Sequence, residues 1–149
     1  MSTTTTATTI QVYLVFIRAT PEAIWDAICN PEFTERYFHG ARVENTPTRH
    51  LAHGPNGENW GDEAVLEYDP PRRLVHEWLS RYDDEMAAEE PSRVTWEIEP
   101  KDDGTSLLTV VHDRFEGAPK TAASVAGQGW MYVLSGLKTL LETGQPLSD

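Results

Sequence analysis

TAASVAGQGWMYVLSGLKTLLETG, residues Thr121–Gly144, is the stretch whose reading decides the fold. Its apolar residues fall at Ala126, Trp130, Val133, Leu134, Leu137, Leu140 and Leu141, recurring in steps of three and four. That spacing lines one face of a 3.6-residue period, as an amphipathic helix requires. Gly144 suits the left-handed conformation that closes a helix, and Pro146 prevents continuation. Gly127 and Gly129 each cost about 1 kcal/mol relative to alanine inside a helix, which sets the firm helix at Gln128–Thr143. Gly136 falls within it, either for close packing against a neighbour or to leave room for a ligand. One helix with so wide an apolar face needs a broad partner surface, and the preceding hundred residues read as a sheet.

Around this helix the composition sets bounds. At 149 residues and 16.7 kDa the chain suits a single domain, expected at 10–146, with a frayed threonine-rich tail at 1–9. Twelve Lys and Arg against 24 Asp and Glu leave a formal charge of −12, which argues against nucleic acid and anionic membranes as partners. Cys29 is the single cysteine, which fits a reducing, cytoplasmic setting. No apolar run is long enough to span a bilayer, and the N-terminus lacks the pattern of a signal peptide.

Taken in order, Ile10–Arg18 (IQVYLVFIR) reads as a strand, with apolar residues on both parities and therefore both faces expected to be at least partly covered. Thr20 offers an N-cap, Pro21 fits the first helical position, and PEAIWDAIC places Ile24, Trp25 and Ile28 on one face. A second short helix, PEFTERYF, follows and Gly40 closes it. Ala41–Thr46 is a candidate strand, and Pro47–Asn59 reads as an irregular connection. Strands are expected at Asp62–Tyr68, Arg73–Tyr82, Arg93–Glu99 and Thr105–Phe115, with an acidic loop at Asp83–Pro91 and an Asp103-Gly104 hairpin turn. Short connections make the sheet an antiparallel meander. The fold class is α+β: a curved antiparallel sheet wrapped around the long C-terminal helix, with two short helices after the first strand. Such a grip leaves space between sheet and helix unless large side chains fill it, and ligands commonly occupy such concave apolar clefts, of roughly 300–1,000 Å³.

Three stretches carry a resemblance: IRATPEAIWDAICNPEFTERYF (Ile17–Phe38), LEYDPPRRLVHEW (Leu66–Trp78) and GWMYVLSGLKTLLETG (Gly129–Gly144). Together they resemble the bacterial domains similar to the C-terminal domain of the activator of the ninety-kilodalton heat-shock chaperone's ATPase. That family belongs to the SRPBCC superfamily of START-like, birch-pollen-allergen-like helix-grip folds. The resemblance implies a pocket between helix and sheet for a hydrophobic small molecule. The superfamily also includes lipid carriers, polyketide cyclases, resistance proteins and co-chaperones, and fold alone does not choose among them. The eukaryotic activator carries an additional N-terminal domain for which this chain has no length, so a chaperone partner is not expected.

The residues that could carry chemistry each have a plain reading beside the functional one. His50 and His53, in the irregular stretch, read as solvated loop histidines rather than metal ligands. His76 and His112 lie on the apolar parity of their strands, which suits hydrogen-bonded core histidines or, alternatively, a ligand contact or general acid–base role. His112 and Asp113 point to opposite faces and form no triad. Cys29 closes an apolar helix turn and reads as a core or semi-buried thiol rather than a nucleophile. Trp78, Trp96 and Trp130 fall where sheet and helix meet and either fill the core or line a pocket, and Trp60 precedes the next strand. The expected ligand-binding set is Tyr37, Trp60, His76, Trp78, Trp96, His112, Trp130 and Leu134. No metal, cofactor or catalytic residue is expected. Binding of a hydrophobic or aromatic molecule, such as a lipid or polyketide-like metabolite, leads. A cyclase or hydrolase using His76 or His112, and a co-chaperone-like interaction module, are the alternatives, and a homodimer is left open.

Overall fold

The computed structural model describes residues 10–126 and 128–148; the expected tail at residues 1–9 lies outside them. Seven strands form one antiparallel sheet: β1 Gln11–Ile17, β2 Arg42–Asn45, β3 Arg49–His53, β4 Asn59–Asp69, β5 Arg73–Trp78, β6 Ser92–Pro100 and β7 Ser106–Asp113. Their order is β1-β7-β6-β5-β4-β3-β2, so the first strand closes one edge beside the last. Register shifts between β3 and β4, at Ala52/His53, and between β4 and β5, at Val65/Glu67, add the local twist that bulges impose and help the sheet curl.

Between β1 and β2 lie α1 (Pro21–Cys29) and α2 (Pro31–Thr34). Thr20 caps α1 by accepting from the Ala23 N–H at 3.1 Å, and Pro21 opens it, as expected. The second helix is shorter than PEFTERYF suggested: it ends at Thr34, and the chain continues through turns, with the Tyr37 and Phe38 N–H groups both on the Thr34 carbonyl. The Thr34 hydroxyl donates to the Ala41 carbonyl and accepts from the Val43 N–H, tying the turn to β2 instead. His39 and Gly40 then take positive φ, 55° and 75°, to reverse the chain.

The stretch from Thr121 splits into α4 (Pro119–Ala126) and α5 (Gly129–Thr143). Gly144 closes α5 with φ 76° and its N–H on the Leu140 carbonyl at 2.8 Å. The buried face of α5 is Trp130, Val133, Leu134, Gly136, Leu137 and Leu140, set against Leu74, Trp96, Ile98, Leu108 and Val110 of the sheet. Gly136 is there for close packing: a Cβ would lie 3.1 Å from Cβ of Tyr37.

Three expectations are corrected. Pro47–Asn59 is not wholly irregular, since Arg49–His53 forms β3, a hairpin partner of β2. Asp83–Pro91 contains a helical turn, α3 (Asp84–Ala87), capped by the Asp83 carboxylate on the Met86 N–H at 2.7 Å. Only one face of β1 is covered. Gln11 and Ile17 are buried and Tyr13 tilts against Trp130, whereas Val12, Leu14 and Phe16 are 51%, 62% and 56% exposed.

Candidate functional site

Two histidines sit fully enclosed on the concave face, and each is met by a tryptophan. Trp96 donates its indole N–H to Nε2 of His76 at 3.0 Å, while His76 Nδ1 lies 2.9 Å from the Glu77 carbonyl. A carbonyl only accepts, so His76 carries its proton on Nδ1. Trp130 donates to Nδ1 of His112 at 3.1 Å, which leaves the proton on Nε2, 2.7 Å from the Ser92 hydroxyl. Burial disfavours the charged imidazolium and pushes His76 down to about 4; burial and the nearby His76 push His112 down to about 3. Both ring nitrogens of both histidines are engaged, and neither side chain reaches solvent.

Outside this layer lies a cleft. Phe38, from the turn after α2, Trp60 at the start of β4, and Trp78 at the end of β5 wall it, and Ala41, Val43 and Ala52 form its apolar base. Trp60 owes its place to Gly54, where a Cβ would stand 2.6 Å from the indole ring. Ser80, Glu63 and Arg81 supply polar groups, and exposed Arg81 and Tyr82 form the rim. The buried Glu63 carboxylate is compensated: it accepts from the N–H groups of Asp62 and Leu79 and pairs with Arg81 at 3.1 Å.

His50 also lines the cleft. It is not the solvated loop histidine that its surroundings in sequence suggested, being 5% exposed and stacked on His76 with ring centroids 3.8 Å apart and planes within 6°. It faces inward because β3 alternates, His50 and Ala52 in, Arg49 and His53 out. For the same reason His50 and His53 cannot converge on one ion. Asn45 donates its amide to the Ile28 carbonyl at 3.1 Å and so turns its oxygen to Nδ1 of His50, 2.6 Å away. Burial and the neighbouring His76 hold the His50 imidazole well below its ordinary range, in the neutral form.

The cleft encloses about 40 Å³, and a second cavity of about 30 Å³ lies beyond Phe38 and Trp78, against Val125, Trp130 and Val133. A single water needs about 10–15 Å³ on this measure, so each holds only a few. The Phe38 and Trp78 rings, 6.2 Å apart at their centroids, stand between the two cavities.

Of the eight expected residues, Trp60 and Trp78 line the cleft, and Trp78 and Trp130 line the smaller cavity. Tyr37, Trp96 and Leu134 are core: 4%, 3% and 5% exposed, with the Tyr37 hydroxyl spent on the Ala27 carbonyl at 2.7 Å. His76 and His112 stand behind the tryptophans. Sequence reasoning missed His50, Phe38, Ser80, Glu63 and Arg81; the inward parity of His50 and Ala52 around Leu51 was the available signal. Cys29 is semi-buried as expected, its thiol raised to about 12 by burial and the nearby Asp26. Among the described residues no helix is long and apolar enough to cross a membrane.

A curled antiparallel sheet gripping a C-terminal helix, with two short helices after the first strand, defines an SRPBCC-type helix-grip domain. The chain belongs to the family described as Activator of Hsp90 ATPase homolog 1-like protein, whose model matches residues 18–142. Among solved structures, CalU16 from Micromonospora echinospora is similar at 20% identity and TM-score 0.69, over 93% of this chain and 77% of that one. A protein from Mesorhizobium loti is similar at 24% identity and TM-score 0.68, over 89% and 97% of the two chains. An HSP90 activator from Plasmodium falciparum is similar at 17% identity and TM-score 0.69, over 92% and 97%. At these identities the likeness is one of fold. A search of the curated proteins found no match.

Proposed function

We propose that this domain binds a hydrophobic or aromatic small molecule in the cleft walled by Phe38, Trp60 and Trp78. The observation that carries the reading is the cleft itself: three aromatic walls over an apolar base, with a few polar groups at one side. That is the composition of small-molecule sites generally. The family's fold is compatible with it. The enclosed space is small, so a ring-sized ligand displaces the half-buried Phe38 or Trp78 side chain and draws on the second cavity behind them. The cyclase or hydrolase alternative has less support. His76 and His112 have no free ring nitrogen and no exposure, so neither can reach a substrate proton. The cytoplasmic setting, resting on the unpaired Cys29, belongs to the same proposal.

The test is titration of intrinsic fluorescence with naphthalene on the wild type and on Trp60→Ala. Removing one aromatic wall weakens binding about tenfold or more, since 1.4 kcal/mol is less than burial of a large side chain contributes. Saturable binding that survives Trp60→Ala unchanged would move the ligand elsewhere.

One observation favours a second reading. Val12, Leu14 and Phe16 form an exposed apolar stripe on an edge strand, which suits docking of another protein or a second copy of this chain.

A further inference from the structure

In the cleft, one ring nitrogen stands apart from the rest of the buried polar groups. His50 uses Nδ1 on Asn45, and the Asn45 amide is itself oriented by the Ile28 carbonyl. Because the facing atom is the acceptor oxygen, Nδ1 carries the proton and Nε2 presents its lone pair. Among the described residues Nε2 has no hydrogen-bond partner, yet no buried side-chain nitrogen or oxygen lacks one. Nε2 therefore keeps an opening, and the space that His50 borders is the cleft. The side chain is 95% enclosed, so an acceptor aimed there is costly unless something donates to it.

The neighbouring polar groups do not compete. The Glu63 carboxylate accepts and cannot donate, and it already receives Leu79, Asp62 and Arg81. Ser80 accepts the Trp78 indole N–H at 3.1 Å, which leaves its own O–H free to donate. The polar side of the cleft thus offers a neutral acceptor, His50 Nε2, and the buried Ser80 hydroxyl as a donor, with the Arg81 guanidinium and the Tyr82 hydroxyl further out at the exposed rim.

We infer that His50 Nε2 is the specificity-determining acceptor of this cleft, and that its ligands are aromatic molecules bearing a hydroxyl or N–H that donates to it, phenols being the simplest. This rests on the cleft being the ligand site, as proposed above. An aromatic ring satisfies Phe38, Trp60 and Trp78, while its hydroxyl donates to Nε2 and accepts from Ser80. An ether of the same shape leaves Nε2 desolvated and unpaired. That asymmetry discriminates more strongly than a change of one methyl in an apolar wall.

The test compares naphthol with its methyl ether, by fluorescence titration and by ¹⁵N NMR of the histidine ring nitrogens. Naphthol should bind about tenfold more tightly than the ether, the size of one net hydrogen bond. The unprotonated Nε2 resonance of His50 should move on addition of naphthol and stay in place with the ether. His50→Phe keeps a ring on His76 and removes the acceptor, and should bring the affinities for naphthol and its methyl ether together. Equal affinities in the wild type, or a preference for naphthol that persists in a folded His50→Phe, would overturn the assignment while leaving the cleft as an apolar site. Absence of binding by naphthalene and naphthol alike would overturn both. The wild-type comparison and the Nε2 resonance decide the matter even if His50→Phe does not fold.

Discussion

Trp130 and His112, eighteen residues apart and on facing elements, are joined by an indole N–H to Nδ1 hydrogen bond of 3.1 Å beneath complete burial. The helix and sheet are thus fixed to each other by a polar contact as well as by apolar packing. Trp96 makes the equivalent bond to His76 within the sheet, at 3.0 Å. Aromatic rings of this size bury much area, and their N–H groups need partners once enclosed. The two histidines supply those partners without introducing charge.

Trp130→Phe keeps most of the ring and orphans His112 Nδ1. It should cost about 1–3 kcal/mol in urea unfolding, the penalty for a buried group left unpaired. Trp130→Ala also removes the packing and should cost about 3–5 kcal/mol. A loss below about 0.5 kcal/mol in the phenylalanine variant would show that the bond adds nothing.

The buried histidines set an acid limit. His76 and His112 are neutral in the folded protein, at about 4 and about 3, while an unfolded histidine protonates near 6.5. As the pH falls, the unfolded chain takes up protons first. Stability is therefore complete above about pH 6.5 and is lost from there down toward each folded value. Each unit of difference is worth about 1.4 kcal/mol, so several kcal/mol are at stake between neutral and mildly acid conditions. Urea midpoints at about pH 7 and about pH 5 should fall accordingly, and less in His112→Gln, which keeps a donor and an acceptor without titrating. An equal fall in that variant would show that His112 is not among the groups that set the limit.

Gly54→Ala tests the wall of the cleft from behind. A Cβ there meets the Trp60 indole at 2.6 Å, so the ring must move. The variant should lose about 1–3 kcal/mol, as overpacking does, and change the near-ultraviolet circular dichroism of the tryptophans. An unchanged spectrum would mean that Trp60 is not held by this contact.

The β1 stripe makes the opposite prediction. Leu14→Lys with Phe16→Glu alters residues more than half exposed and should leave unfolding within about 0.5 kcal/mol. A loss above about 1 kcal/mol would show that this face is covered in solution. Sedimentation of the wild type and the variant then reports whether a second copy covers it.

Much of the fold was legible because the strongest signals were local. The period of Trp130–Leu141, the Thr20-Pro21 start and the Arg93–Glu99 strand each depend on neighbours in sequence, and each forms as read. β3 was hidden because its inward residues are His50 and Ala52, one polar and one small, between turn-forming segments. The same histidine was missed at the site for the same reason: its burial comes from Asn45, His76 and the curl of the sheet, none of which adjoins it. The space between helix and sheet is largely filled, since Phe38, Trp78 and Trp130 converge there from three separate elements, which the sequence places far apart. The open face of β1 escaped notice because alternating apolar residues on both parities read as two covered faces.

The most direct test of the central claim is an NMR titration of the indole N–H signals of the five tryptophans with naphthol. Trp60 and Trp78 wall the cleft, Trp130 and Trp96 lie deeper, and Trp25 packs on Tyr68 away from it. Saturable shifts are expected at Trp60 and Trp78, smaller ones at Trp130, and none at Trp25. Saturable shifts confined to Trp25, or no saturable shift at Trp60 and Trp78, would contradict that claim.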